Sequence, residues 1–284
     1  MQLIYSAISI SVPLLLAATG GLFCELSGSL NIALEGLLLL GAFTSVVAAH
    51  FVGNVFIGVL IGVSCAMLLS FIQAIITFKM KANVFIAGLA ANLLASGLCT
   101  VLSYKFFTNK GVVVFKDVQK LAILNSPIPG QTIFTYIALF LLVVSYFVLY
   151  KTPFGIHLRC CGKNEAALIS LGLRPDFYRI TSYIISGATC ALGGALLTLN
   201  LGSFVPNISN GKGWMALVII FLGNKNPWGL LVASLVFGLA DSFSNYAQGA
   251  LNVPADFILA IPYIFTLIAM LAFSIIVKKK KEFK

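Results

Sequence analysis

The sequence predicts an all-α fold: a polytopic transmembrane helix bundle of about nine spans (8–10), forming one domain over residues 1–284. Three observations predict it. Hydrophobic residues make up 60% of the chain and charged residues 9%, with a mean hydropathy of +1.04, whereas soluble domains carry roughly a quarter charged residues. Apolar runs of about 20 residues, the length a helix needs to cross a hydrocarbon core, recur along the whole chain. The alternation of period two that marks an outer-membrane barrel is absent, which leaves a helix bundle to satisfy the backbone in lipid.

In order, spans are expected near 3–22, 30–51, 54–78, 83–104, 131–150, 181–201, 213–223, 227–247 and 256–277. The first has neither a basic start nor a clear small-residue cleavage site across 1–21, so it reads as a retained span and not as a cleaved leader. In the third, Gly58 and Gly62 form a G-x-x-x-G pair suited to close helix packing. The seventh, GWMALVIIFLG at 213–223, covers only ~16 Å at ~1.5 Å per residue, about half a hydrocarbon core, which suits a re-entrant half-helix. Counting it as a crossing keeps the KKKKEFK tail inside, as the charge rule favours. With the N-terminus outside and the C-terminus cytoplasmic, 13 of the 18 Lys and Arg fall inside: Lys79, Lys81, Lys151, Arg159, Lys163, Arg174, Arg179, Lys225, Lys278, Lys279, Lys280, Lys281 and Lys284. The other five, Lys105, Lys110, Lys116, Lys120 and Lys212, fall outside, an asymmetry that follows the positive-inside rule. The net charge of +10 is thus accounted for between spans, with no nucleic acid as partner.

The six cysteines carry no disulfide or metal pattern. Cys24, Cys65, Cys99 and Cys190 lie in or beside apolar runs as small hydrophobes, and the adjacent Cys160 and Cys161 match no zinc spacing.

Polar residues within the spans stand out, because an ionised carboxylate facing lipid costs ~2.5–3.5 kcal/mol. Of only 8 Asp and Glu, two fall in CELSGSLNIALEG at 24–36. If the second span begins near Ser27, then Ser27, Asn31 and Glu35 follow i, i+4, i+8 and form one polar stripe, with Glu25 in the turn before it. Gly88, Asn92 and Ser96 repeat the spacing in the fourth span, and Asp241, Asn245 and Gln248 nearly do so in the eighth. Such stripes face inward, toward each other, a partner subunit or water.

Two connections matter. The outer one, about 105–130, mixes Lys110, Lys116, Asp117 and Lys120 with Pro127 and Pro129, and reads as a solvated connector or a docking surface. The inner one, about 152–180, reads as a loop, a short helix and a loop. Asn164 is placed to cap the helix, Glu165, Ala166, Ala167, Leu168, Ile169 and Leu171 are helix formers, and Gly172 is placed to stop it. Two readings stay open: an interfacial helix lying on the headgroups, or a knob that fits a groove in a cytoplasmic partner.

At this loop the chain resembles a known family. LRCCGKNEAALISLGL is similar to the R-a-x-G-x-N-x-x-A-A-x-x-x-G-i segment of permease subunits of ABC importers for nucleosides, simple sugars and branched-chain amino acids. It matches at Arg159, Gly162, Asn164, Ala167 and Gly172, with Ala166 nearby. FCELSGSLNIALEGLLLLGAF resembles the family's F-x-E-R-S-G-x-x-N-I-x-x-E-G-x-x-L-x-G-A-F at Phe23, Glu25, Ser27, Gly28, Asn31, Ile32, Glu35, Gly36, Gly41, Ala42 and Phe43. Stretches 88–98 and 210–242 are similar to two further family patterns, so the resemblance runs in order through nearly the whole chain. It points to the nucleoside branch. The sequence departs from it at Leu26, where the branch commonly carries Arg, and at Ala82 and Asn83, where an acidic residue is often seen.

The resemblance implies a multi-pass subunit of the bacterial cytoplasmic (inner) membrane, surrounded by lipid, that forms half of a translocation path for nucleosides, purine nucleosides foremost. Its implied partners are a second homologous permease in a heterodimer, an ATP-binding subunit, and an extracytoplasmic binding lipoprotein of the basic membrane protein type. Simple sugars such as ribose or galactose are the alternative substrates. Arg159, Gly162, Asn164, Glu165, Ala166, Ala167 and Gly172 would form the coupling segment that sits in a cleft of the ATP-binding subunit. Glu25, Ser27, Asn31, Glu35, Asn92 and Asp241 become the candidates for the translocation path. For Asn92 interhelical bonding, worth ~0.6 kcal/mol on average, competes with that role, and for Asp241 capping of the bundle surface does. The chain has no G-x-x-x-x-G-K-[ST], since NGKG at 210–213 lacks both the upstream Gly and the following Ser or Thr. ATP and Mg therefore belong to the partner, and the chain is expected to be no enzyme, with neither a catalytic residue nor a metal site.

Two other classes compete. An ion-coupled secondary transporter would use Glu25, Glu35 or Asp241 as a proton carrier, but it has no need of a docking knob at 164–171. An intramembrane enzyme is disfavoured: H-E-x-x-H and G-x-S-x-G are absent, and His50 and His157 fall at opposite faces of the expected topology.

Overall fold

The first helix, α1 (Gln2–Leu26), runs the length of the bundle, and α2 (Leu34–Val52) returns beside it. This computed structural model describes residues 2–108, 111–115 and 132–250, with 264, 266–268 and 271 beyond them. Gly53, at φ +70°, ends α2, and Asn54 starts α3 (Val55–Ala74) by accepting the Phe56 N–H at 2.9 Å. A π-helical turn, Ile75–Lys79, extends α3. Asn83 caps α4 (Val84–Phe107) in the same way, accepting the Phe85 N–H at 2.8 Å. Strand β1 (Val113–Val114) follows, then α5 (Ile133–Lys151), α6 (Pro153–Lys163), α7 (Glu165–Ser170) and α8 (Pro175–Leu201). The described chain continues through β2 (Ser203–Phe204), α9 (Lys212–Leu222) and α10 (Pro227–Ala250). β1 and β2 pair antiparallel and tie the segment after α4 to the end of α8.

Seven helices among the described residues are long and apolar enough to cross a membrane: α1, α2, α3 with its π turn, α4, α5, α8 and α10. They fall on seven of the nine expected spans. The expected span at 213–223 is the shorter apolar helix α9. Extended and turn residues from Ser203 to Gly211 precede α9, which is about 16 Å long at ~1.5 Å per residue. Lys212 is the first residue of α9 and is half-buried. The expected span 256–277, the basic tail and most of the 105–130 connection lie outside the described residues.

Three boundaries differ from expectation. The second helix begins at Leu34, so residues 27–33 form turns and not a helix, and Ser27, Asn31 and Glu35 do not share one helical stripe. α8 begins six residues early because Pro175 occupies its first position with Asp176 in the first turn. Residues 153–163, expected as loop, are helix α6: Pro153 opens it and the Thr152 hydroxyl accepts the Gly155 N–H at 3.3 Å.

The core sits between α1, α2 and α8. These helices approach closely because small residues meet. A Cβ on Gly41 would lie 2.4 Å from Ala191 Cα, and one on Gly194 would lie 2.0 Å from the Leu38 carbonyl oxygen. Gly58 and Gly62 likewise seat α3 on Ser45 and Ala49 of α2, as the G-x-x-x-G spacing predicts. Of the most apolar stretch of α1, 83% is buried, against 28% for α3 and 22% for α4.

Candidate functional site

The α1–α2 corner is built from polar residues that bond to one another. Gly28, at φ +85°, turns the chain where a side chain would be strained, and the Ser27 hydroxyl donates to the Cys24 carbonyl at 2.7 Å. The Ser29 and Tyr183 hydroxyls bond at 3.1 Å, and Tyr183 also donates to the Leu30 carbonyl at 3.2 Å. Asn31 is fully buried. Its Nδ2 donates to Ser186 Oγ at 3.1 Å, while its Oδ1 accepts from Gln73 Nε2 at 3.2 Å and from the Ala33 N–H at 3.0 Å. Residues 27–33 thus leave the helix because partners on α3 and α8 take over backbone and side-chain groups that a helix would otherwise pair.

Glu35, one residue into α2, reaches across to α9. Its Oε1 accepts the Gly211 N–H at 2.9 Å and its Oε2 the Gly213 N–H at 2.7 Å. These are free donors at a helix N-terminus, where the helix dipole also favours a carboxylate. A Cβ on Gly213 would lie 2.3 Å from the Glu35 nitrogen, so glycine there is what lets the two backbones meet. On the other side, Asn92 of α4 accepts the Gly36 N–H at 2.7 Å and donates to the Ile32 carbonyl at 3.0 Å. One hydrogen-bonded line therefore runs from α4 through the start of α2 to the start of α9.

Beside this line lies a cleft of about 110 Å³. It is lined by Leu39 of α2, by Ser96, Cys99, Thr100 and Ser103 of α4, and by Phe204, Pro206 and Asn207 from the segment before α9.

At the end of the bundle where α1 finishes, α6 and α7 form the connection to α8. Asn164 accepts the Ala167 N–H at 3.1 Å and Gly172, at φ +74°, follows the helix, as expected from sequence. Glu165 pairs through both oxygens with Arg179, at 2.7 and 3.2 Å. Leu168 is fully buried and anchors α7, while Ile169, Leu171 and Phe177 stay 56%, 68% and 60% exposed. Arg159 lies over the Tyr150 ring at 4.7 Å and donates to the Gly155 carbonyl at 3.3 Å. Ala166 is exposed and Ala167 half-buried. Gly162 touches the α1–α2 corner directly, since a Cβ there would lie 2.3 Å from the Leu26 carbonyl oxygen. Burial pushes the Cys161 thiol up, which suits an inert structural cysteine. All six cysteines are free, and among the described residues no group of three His, Cys, Asp or Glu is placed to hold a metal.

The structure brings Ser27, Asn31, Glu35 and Asn92 into one neighbourhood. Glu25 stands at its edge, paired with Lys225 from the turn between α9 and α10. That lysine supplies the charge partner that Leu26 does not. Asp241, half-buried on α10, lies apart from this group, next to Ser242, whose hydroxyl donates to the Leu3 carbonyl at 3.2 Å. Sequence reasoning missed Gln73, Tyr183, Ser186, Lys225 and Asn207. Each is brought in from more than forty residues away from the motif it serves, and no local spacing signals it. The Thr152-Pro153 pair was the available signal for α6.

The chain belongs to the family described as branched-chain amino acid transport system / permease component, which it matches over residues 3–279. Among its relatives, it is 32% identical over 293 residues to the guanosine ABC transporter permease protein NupQ of Bacillus subtilis, covering 95% of this chain and 90% of that one. It is 30% identical over 282 residues to the nucleoside ABC transporter permease protein NupC of Lactococcus lactis, covering 93% and 89%. Its fold is similar to that of a solved ABC transporter in an inward-facing conformation, with a TM-score of 0.55 over 98% of this chain and 85% of that one, at 18% identity. The chain is thus an ABC transporter permease of the nucleoside and sugar type, a multi-pass component of the cytoplasmic membrane. The family implies an ATP-binding subunit and a substrate-binding protein as its partners.

Proposed function

We propose that this chain forms half of the path of an importer for nucleosides, purine nucleosides foremost. An external binding lipoprotein delivers them, and Mg-ATP hydrolysed in the partner subunit drives their passage. The observation that carries the ATP-driven reading is α7: a capped, ion-paired short helix anchored by Leu168 that holds Ile169 and Leu171 outward. Exposed apolar side chains on a rigid knob suit insertion into a groove of another protein. In this reading Arg159, Gly162, Asn164, Glu165, Ala166, Ala167 and Gly172 build and orient the coupling segment. The end that carries it also carries Lys79, Lys81, Lys151, Arg159, Lys163, Arg174, Arg179 and Lys225, which supports a cytoplasmic location and an N-terminus outside.

A second, homologous permease completes the path. Glu25, Ser27, Asn31, Glu35 and Asn92 frame that path, because their polar atoms bond within the chain. Asp241 stands near the outer surface. The reading is tested by uptake of guanosine into proteoliposomes that contain the whole complex. Uptake is expected to require both ATP and the binding protein, and uptake that survives ATP depletion but stops with an uncoupler would reject it. Ile169→Asp is expected to abolish ATPase stimulation by the loaded binding protein while membrane insertion continues.

A further inference from the structure

We propose that the cleft between α4 and the segment before α9 is a substrate subsite that takes a neutral, hydroxyl-bearing ring, the sugar of a nucleoside, and that Glu35 is the positioning residue that sets its far wall. The proposal rests on the importer reading and adds to it the place and chemistry of substrate contact. The outward face of α4 is mostly apolar, with Leu93 75% and Val101 63% exposed. Ser96 and Thr100 interrupt it one turn apart, and Asn207 lines the same cleft from the segment before α9, all three being exposed. Among the described residues, the Ser96 hydroxyl and the Asn207 side-chain amide have no hydrogen-bond partner. The Thr100 hydroxyl donates to the Ser96 carbonyl at 2.9 Å and keeps its lone pairs open. In a membrane such groups need water or a polar solute, since lipid offers them nothing.

The remaining lining suits the same ligand. Leu39, Cys99 and Phe204 give an apolar floor for the carbon face of a ring, against hydroxyl and amide groups for its edge. No lining residue is charged, which fits a neutral solute and gives no counter-charge to an amino acid. At about 110 Å³ the cleft is smaller than the ~300–1,000 Å³ of whole-ligand pockets, so it holds one ring and leaves the base to other surfaces.

Both walls are held by the hydrogen-bonded line described above. The segment bearing Asn207 turns through three residues at positive φ, Asn207 at +59°, Asn210 at +40° and Gly211 at +75°, and Glu35 clamps its end at Gly211 and Gly213. Asn92 fixes α4 to the same piece of α2. Glu35 thus sets where Asn207 stands without touching the ligand.

The test uses the reconstituted complex and compares guanosine with 2′,3′-dideoxyguanosine at saturating binding protein. Wild type is expected to transport guanosine faster. Ser96→Ala combined with Thr100→Val, and separately Asn207→Ala, is expected to lower guanosine uptake about 5- to 10-fold, as the loss of one or two hydrogen bonds would. Dideoxyguanosine uptake would change less, so that discrimination falls. Ser96→Thr with Thr100→Ser keeps the hydroxyls and should restore it. Glu35→Gln should also reduce discrimination, whereas a merely structural role would slow both nucleosides in proportion. Wild-type discrimination in both alanine-type variants, or an equal fall for the two nucleosides, overturns the subsite and leaves the importer reading standing. Absence of ATP-dependent uptake of both nucleosides by wild type removes the importer reading itself, and the subsite with it.

Discussion

The α1–α2 corner and the outward face of α4 both place polar side chains among apolar ones, yet they treat them in opposite ways. At the corner, Asn31 is fully buried and bonds to α3, α8 and its own backbone, and Glu35 spends both oxygens on α9. On α4, Ser96 and Thr100 look into an open cleft with capacity to spare. The difference teaches that a polar residue in a membrane span is read by its partners and not by its position. Bonds completed inside the chain make scaffold, and bonds left open mark a surface for water, a subunit or a solute.

Substitutions can break that comparison. The largest effect is expected for Glu35→Ala, which strands the Gly211 and Gly213 N–H groups at ~1–3 kcal/mol each. It should be seen as a sharp loss of thermal stability of the purified complex, with Glu35→Gln milder because one acceptor remains. Gly162→Val comes next. A branched side chain there meets the Leu26 carbonyl at the α1–α2 corner, and overpacking of this kind costs ~1–3 kcal/mol. Asn31→Ala strands the Gln73 amide and should cost ~1–3 kcal/mol, with the unfolding midpoint falling while ATPase stimulation persists in the folded fraction. Glu165→Ala removes a pair whose carboxylate side chain is 45% exposed, so stability should change by less than ~1 kcal/mol. Smallest of all is Ser96→Ala, within about 0.5 kcal/mol by the same measurement. A large stability loss there would move Ser96 into the scaffold and erase the contrast between the two regions.

Much of the fold was legible because its signals are local. Span lengths follow from apolar runs, and Asn54, Asn83 and Asn164 cap helices that their own following residues form. The short helix α7 was legible for the same reason, with Asn164 capping it and Gly172 following it. The corner was not. Ser27, Asn31 and Glu35 at i, i+4, i+8 look like one helical face, and the pattern is the same whether the backbone is helical or unwound. What unwinds it is distant: Tyr183 and Gln73 donate to its polar groups, Ser186 accepts from Asn31, and Gly162 packs against the turn. Glu35 and Asn92 were visible as candidates, but their task was not, since it depends on Gly211, Gly213, Ile32 and Gly36 lying within reach.

By itself the sequence determined the membrane class, the positions of seven spans, the half-length of α9 and the short capped helix α7. Hydrophobic length and helix capping are properties of neighbouring residues. Only the tertiary structure decided that residues 27–33 unwind, that Glu25 pairs with Lys225, that Glu35 holds α9, and that a polar cleft opens beside α4. Those outcomes rest on backbone donors and side chains that meet across the bundle. In lipid a polar group takes whichever partner the packing brings.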